Sequence, residues 1–272
     1  MTLVVSELFI YPIKSCAGVA VSAAEAKPRG FAGDRRWMLV DENGVFLTQR
    51  GEAAMCLLQP AYEDGNLVVH HTQEALPPLR VPAAIPDAPL RAVRVWGDEL
   101  QARSAGPEAD AWFSRALDRQ VHLVWMGPQE ERPVDPAFGE ADDRVSFADG
   151  FPYLILGQAA LDGLNARLVA AESAALPIHR FRPNIVFTGG VAHDEDDWNS
   201  VHIGTVRMDV VKPCTRCRIT TLDTTSLAYG EEPLRTLATY RRSEKGVKFG
   251  MNALVREMGS IRIGDSMLPL SE

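Results

Sequence analysis

The chain has 272 residues, 46% of them hydrophobic and 24% charged, and a net charge of −8. That length buries one large core or two modest ones, and the composition is ordinary for a globular protein. The acidic balance argues against a nucleic-acid or anionic-membrane surface, and no apolar run approaches the roughly 18 residues a membrane helix needs.

MTLVVSELFIYPIKSC (1–16) has neither a basic leader nor a small-residue cleavage site, so no signal peptide is expected and the cytoplasm is the expected compartment. Its alternating, β-branched pattern predicts a first strand. WMLVDENGVFLTQR (37–50) predicts a hairpin around Asn43-Gly44, where a type I′ turn needs two positive φ angles. LLQPAYEDGNLVVHH (57–71) and RAVRVWGDELQARSA (91–105) repeat the signal around Asp64-Gly65-Asn66 and Gly97-Asp98, with a proline-rich loop between them. PEADAWFSRALDR (107–119) predicts a short helix with Pro at its start, acids in its first turn and Arg at its end. VHLVWM (121–126) returns to strand, and the polar, Pro- and Gly-punctuated stretch 126–150 predicts a boundary or mobile loop.

Residues 158–173 predict the clearest helix, with Ala160, Leu161, Leu164 and Leu168 at helical spacing. Strands are expected at 182–190, 200–212 and 216–223, and two more within 248–270 around Gly259 and Gly264-Asp265. Many short strands with few helices predict a mainly β, barrel-rich fold. No βαβ alternation is visible, which argues against a dinucleotide fold.

Basic residues cluster twice in this acidic chain: Lys14, Arg29, Arg35, Arg36 and Arg50, then Arg180, Arg182, Lys212, Arg216 and Arg218. They fit either a pocket for a small anion or surface arginines paired with acids. The second cluster contains Cys214-Thr215-Arg216-Cys217. A zinc site needs a second Cys or His pair, yet Cys16 and Cys56 are isolated and the histidines form no spaced pair. A redox dithiol needs a helix start, and the flanks read as strand. A buried inert pair is disfavoured by the two arginines. If 216–222 is a strand, Arg216 and Arg218 share one face and Cys217 points to the other, beside the turn's N–H groups. A thiolate ligand next to anion-binding groups suits a metal carried on a phosphorylated organic cofactor.

Three further motifs are weak singly. YPIKSCAG (11–18) offers an ammonium and a hydroxyl at Lys14 and Ser15, or a solvated loop. GDRRWMLVD (33–41) alternates Arg35 and Arg36 along a strand. RFRPNIVF (180–187) puts Arg182 before a proline, hence extended, with an Asn184 amide able to read a heterocycle edge.

In this order and spacing, with FGMN and IRIGD following, the motifs resemble the MOSC family (molybdenum-cofactor sulfurase C-terminal domain proteins) over nearly the whole chain. They are closest to the branch with an additional N-terminal MOSC β-barrel, that of the mitochondrial amidoxime-reducing components and their bacterial relatives. The resemblance implies two interlocking β-rich lobes, a MOSC N-terminal β-barrel domain at 1–125 and a MOSC domain at 126–272, with the site in the cleft between them. It implies a molybdenum cofactor held by one pterin dithiolene, and not pyridoxal phosphate, with Cys217 as metal ligand and catalytic centre. Lys14, Ser15 and Arg35 match phosphate-binding positions; Arg182, Asn184, Thr215 and Arg216 match pterin contacts. Asn252 matches another contact, where the mitochondrial relatives carry tyrosine. Phe151 stands where those relatives carry a small polar contact, so that role is not carried over.

The implied activity is reduction of small N-hydroxylated compounds: amidoximes, hydroxylamines, N-hydroxylated bases. No cysteine follows Cys217, so a C-terminal iron–sulfur domain is not expected. Electrons would come from a separate donor protein, a ferredoxin, flavoprotein or cytochrome b5-like partner. The acidic run Asp194–Asp197 is either a solvated turn or a docking site for such a donor. Asp223 and His202 are conceivable proton donors. The alternative function is a sulfur carrier with a Cys217 persulfide, or a cofactor carrier; the basic N-terminal set favours the cofactor.

Overall fold

The computed structural model describes residues 2–271. The chain opens with β1 (Leu3–Ile10), β2 (Val19–Val21), β3 (Ala23–Lys27), β4 (Gly30–Phe31) and β5 (Trp37–Val40). Next come β6 (Leu58–Glu63), β7 (Asn66–His71), β8 (Leu79–Pro82), β9 (Leu90–Val95), β10 (Asp98–Ser104), helix α1 (Pro107–Ala116) and β11 (His122–Trp125). The second half holds β12 (Tyr153–Gly157), α2 (Gln158–Ala170), β13 (Ile185–Thr188), β14 (Ser200–Ile203), β15 (Val206–Thr215), α3 (Leu234–Ala238), β16 (Arg242–Ser243), β17 (Gly246–Glu257), β18 (Gly259–Arg262) and β19 (Ser266–Leu270).

Seven strands close a barrel in the order β12-β13-β1-β19-β14-β15-β17, with β17 pairing back onto β12. Closure removes the exposed edges an open sheet would leave. Its interior is apolar, with Leu8, Ile155, Ile185, Phe187, Val201, Met208 and Ala253 among the buried side chains. A register shift between Val5 and Glu7 keeps both Val5 and Leu8 in that core although they are three residues apart. Phe9 then faces outward, where Leu156, Ala160, Leu161, Leu164 and Leu168 pack with it under α2.

The smaller sheets, β5-β11-β10-β9 and β6-β7-β8, enclose a second core around Trp37, Leu58, Leu67, Phe113 and Leu123. The two cores interlock. The first strand completes the late barrel, and β18 leaves it to pair with β3.

Several expectations change. The hairpin at Asn43-Gly44 keeps its turn, but its second arm forms only isolated bridges (Val40–Phe46, Val45–Arg94). The proline-rich loop contains β8. Strand β12 went unread because a short apolar run has no diagnostic period; with α2 and the parallel β13 it makes one βαβ crossover. Residues 126–150 are irregular as expected, yet Arg132, Val134, Val145, Ser146 and Phe147 are buried. The stretch is a packed wall rather than a mobile loop. Residues 216–223 are not a strand. The β15 ladder is bulged between Val210 and Lys212 and between Pro213 and Thr215, ends at Thr215, and gives way to a 3-10 turn at Arg218–Thr221.

Candidate functional site

The segments leaving β1 and β15 and those entering β5, β12 and β13 meet in a cleft of about 140 Å³. All nine residues singled out in the sequence line it: Lys14, Ser15, Arg35, Arg182, Asn184, Thr215, Arg216, Cys217 and Asn252. Arg50, Asp149, Phe151, Phe181, Cys214 and Thr220 line it as well.

Lys14 and Ser15 are buried rather than solvated, with exposures of 3% and 7%. Ser15, Arg35 and Arg182 all have left-handed backbone, φ 64, 46 and 56. Arg182 is therefore not extended, and Arg35 precedes β5 rather than alternating along it. Arg36 turns away to the carbonyls of Met126 and Gly127.

Two linked networks build the walls. In the first, Asp34 is fully buried and accepts from Tyr11 N (2.8 Å), Asn184 Nδ2 (3.2 Å) and Arg35 Nη1 (2.7 Å). The guanidinium groups of Arg35 (4.1 Å) and Arg182 (4.3 Å) both pack on the Tyr11 ring. Burial pushes the Tyr11 hydroxyl up to about 12, opposed by Arg182 and Arg35; it donates to Pro183 O at 2.9 Å. The Asn184 amide is fully engaged inside the protein, its oxygen accepting from Arg35 and Leu154 N and its nitrogen donating to Phe9 O and Asp34. It orients Arg35 and leaves no amide valence for a heterocycle.

In the second network Lys14 Nζ donates to Phe147 O (2.7 Å) and Asp149 Oδ1 (2.5 Å). Burial lowers Lys14 to about 8 against the opposing pull of Asp149. Arg50 Nη2 donates to the other Asp149 oxygen at 3.0 Å. Partial desolvation works to raise the Asp149 carboxyl, whose side chain stays 55% exposed, but Lys14 and Arg50 hold it well below the usual range. Burial disfavours the Arg50 charge, while Asp149 and the Cys217 sulfur together more than offset it. Arg50 thus pairs with Asp149 in the cleft that Cys217 also lines.

Arg216 Nη1 donates to Cys214 Sγ at 2.9 Å and Nη2 to Phe181 O. Arg218 instead stacks on Tyr229 at 3.9 Å, so the two arginines share no strand face. Cys217 opens the 3-10 turn and is half-buried. Asn252 donates to Lys212 O at 3.1 Å. Phe151 stands on the rim, with Lys212 Nζ 5.5 Å from its ring.

Five cations thus face one carboxylate and two free thiols. Lys14, Arg35 and Arg50 come from the first basic cluster, Arg182 and Arg216 from the second; Arg29, Arg36, Arg180, Lys212 and Arg218 do not line the cleft. Arg50 Nη1 and Arg216 Nε are buried without a partner among the described residues. Such donors are costly unless something accepts from them, and an anionic group in the cleft would do so. The donor set fits a phosphorylated, sulfur-ligated cofactor. Arg50 and Asp149 went unassigned in the sequence because they sit in loops with no periodic pattern.

Neither His202 nor Asp223 lines the cleft. The acidic run is not a solvated turn. Asp196 pairs with Arg241 (2.6 Å) and Lys248 (2.9 Å), and Glu195 is fully buried. Glu195 Oε1 accepts from Gly157 N at 3.3 Å, while Oε2 has no partner. Burial pushes its carboxyl up from 4.5 to about 7, helped by Asp196 and opposed by the Gly157 bond and Arg241. An acid raised in the folded state contributes stability below 4.5 that is lost as pH rises through about 7. Glu195→Gln is therefore expected to be more stable than the parent by on the order of 2–3 kcal/mol at pH 8. The gap should close near pH 5, as read from denaturant midpoints at both values.

With the cleft described, the comparisons with known proteins fall into place. The MOSC N-terminal beta barrel domain matches residues 2–120 and the MOSC domain residues 142–268. Mitochondrial amidoxime-reducing component 1 of Mus musculus is 36% identical, covering 98% of this chain and 82% of its own. Mitochondrial amidoxime reducing component 2 of Bos taurus is 36% identical over 96% of this chain and 81% of its own. Component 1 of Homo sapiens is 32% identical over 98% and 83%. Among solved structures, the YuaD protein from Bacillus subtilis aligns over 98% of this chain and 94% of its own at 11% identity and a TM-score of 0.45, too distant to carry an argument. The chain belongs to the MOSC family, in the group of the amidoxime-reducing components.

Proposed function

We propose that this protein is a molybdenum-cofactor-dependent reductase of N-hydroxylated compounds. The observation that carries the reading is the convergence of five cations and the Cys217 thiol on one cleft, two of the guanidinium groups still holding unpaired buried donors. Its relatives are named for amidoxime reduction and match along almost the whole chain.

A bound pterin-dithiolene molybdenum would supply the two-electron reduction of an N–O bond. Cys217 is the residue that would hold the metal, Lys14, Ser15 and Arg35 would take the phosphate, and Arg182 would contact the pterin. Arg50 keeps positive charge beside the Cys217 sulfur, and Asp149 fixes Arg50 and Lys14 in place. Overall, R–NH–OH, two electrons and two protons give R–NH2 and water. The electrons come from a separate donor, a ferredoxin, flavoprotein or cytochrome b5-like protein, in keeping with relatives named as components. Four free cysteines are in keeping with a reducing compartment, and we place the protein in the cytoplasm.

The test is reduction of benzamidoxime by cofactor-loaded protein under a chemical reductant. Turnover to benzamidine supports the reading. Loaded protein that turns over no N-hydroxylated substrate would leave a cofactor carrier; protein that takes up no cofactor but accepts sulfur on Cys217 would be a persulfide carrier.

A further inference from the structure

The turn between β9 and β10 sets an indole against two of the cleft's cations, Arg50 and Lys14. Trp96 has φ 55, a left-handed conformation that bulky residues rarely adopt and that Gly, Asn or Asp would take at less strain. Turn propensity does not explain a tryptophan here, and an outlier of this kind points to function. The residue is 44% exposed. Its ring is packed by Arg50 (4.7 Å) and Phe46 (4.8 Å), with Lys14 Nζ at 6.0 Å. Arg50 and Lys14 both line the cleft that Cys217 also lines, and Arg50 pairs with Asp149. The same guanidinium therefore packs the indole and lines the cleft.

The turn is anchored to the cleft wall. Asp98, two residues after Trp96, accepts from Arg132 Nε at 2.6 Å. Arg132, 4% exposed, donates in turn to the carbonyls of Ser146 (3.2 Å), Ala148 (2.5 Å) and Asp149 (2.9 Å). One buried arginine sets the position of both the indole's turn and the segment that presents Asp149. The ring is held at a defined place rather than swinging on a free loop.

We propose that Trp96 is a specificity-determining residue: its exposed ring is the platform on which flat, π-rich N-hydroxylated substrates, aryl amidoximes and N-hydroxylated purines, stack while the N–OH group enters the cleft toward Cys217. The proposal rests on the reductase reading and deepens it. An indole offers stacking area with few torsions to freeze, and the cations packed against it fix its orientation. A substrate without a ring gains nothing from it.

The experiment compares the loaded parent enzyme with Trp96→Ala and Trp96→Phe, using benzamidoxime and hydroxylamine. The ratio of kcat/KM for benzamidoxime to that for hydroxylamine is expected to fall roughly tenfold in Trp96→Ala through KM, and to be largely restored in Trp96→Phe. An unchanged ratio overturns the proposal, as does an equal loss with both substrates, which would mark Trp96 as a structural cover for Arg50 and Lys14. Fluorescence titration of the same proteins with benzamidine gives a readout free of turnover. Quenching in the parent that disappears in Trp96→Phe supports the platform, and equal quenching in both overturns it. If the parent reduces neither substrate, the reductase reading fails while the titration still decides the role of Trp96.

Discussion

Replacing Cys217 by alanine is expected to lower benzamidoxime reduction by at least about a hundredfold, the scale reached when even supporting groups around a metal are lost. The melting temperature should stay within roughly 2 °C of the parent. Both halves follow from where the residue sits. Cys217 contributes to the fold through its backbone: its carbonyl accepts from Thr220 N at 3.1 Å and from Thr220 Oγ1 at 3.0 Å, closing the 3-10 turn. Its side chain is half-buried at the cleft, where removing a sulfur opens no core cavity. Cys214 offers the contrast. Its sulfur accepts from Arg216, so Cys214→Ala frees a guanidinium that lines the cleft but leaves the proposed ligand in place. Steady-state rates and melting curves of the two variants separate the roles; a Cys217→Ala protein of normal activity would remove this residue from the chemistry.

Asp34→Ala is expected to destabilise the protein by roughly 3–5 kcal/mol, the usual result of removing one partner of a buried ion pair. Burial pushes the Asp34 carboxyl up, opposed by Arg35 and by the hydrogen bond from Tyr11 N. Without the carboxylate, Arg35 loses its 2.7 Å ion-pair partner. Tyr11 N loses its acceptor, and Arg35 and Arg182, whose charges already oppose each other, both stay packed on the Tyr11 ring without the Asp34 charge. Tyr11 follows β1, Asn184 precedes β13 and Arg35 precedes β5, so the damage spans the seam between the two cores. Urea unfolding of cofactor-free protein measures the loss. Inorganic phosphate should restore more stability to the variant than to the parent, because an anion in the cleft replaces part of the missing charge. A shift below about 1 kcal/mol would mean that Asp34 is not the counter-ion of the cleft.

Much of this architecture is legible in the sequence, and the reasons differ by element. The hairpin β6–β7 is written in local turn chemistry, with positive φ at Asp64 and Gly65, and α1 and α2 in capping and spacing. The barrel order is not, because β1 pairs with Ile185–Thr188 on one side and with Ser266 and Met267 on the other, both far along the chain. The stretch 216–223 alternates like a strand, but the bulges that end β15 depend on its partner β17. For the site, the nine residues were found through motifs whose order mattered more than any one of them. Arg50 and Asp149 stayed hidden because what places them is nonlocal: Trp96 under one and Lys14 across from the other. The run 194–197 stayed open between a solvated turn and a docking site because sequence shows the charge of Glu195 and Asp196 but not the burial of one or the pairing of the other.

The central claim is that the cleft holds a molybdenum group through Cys217. The most direct test is the molybdenum content, by plasma mass spectrometry, of the parent, Cys217→Ala and Cys214→Ala proteins expressed in a host that makes the pterin cofactor. The account predicts close to one molybdenum per chain in the parent and in Cys214→Ala, and almost none in Cys217→Ala. Molybdenum absent from the parent, or retained undiminished in Cys217→Ala, would contradict it.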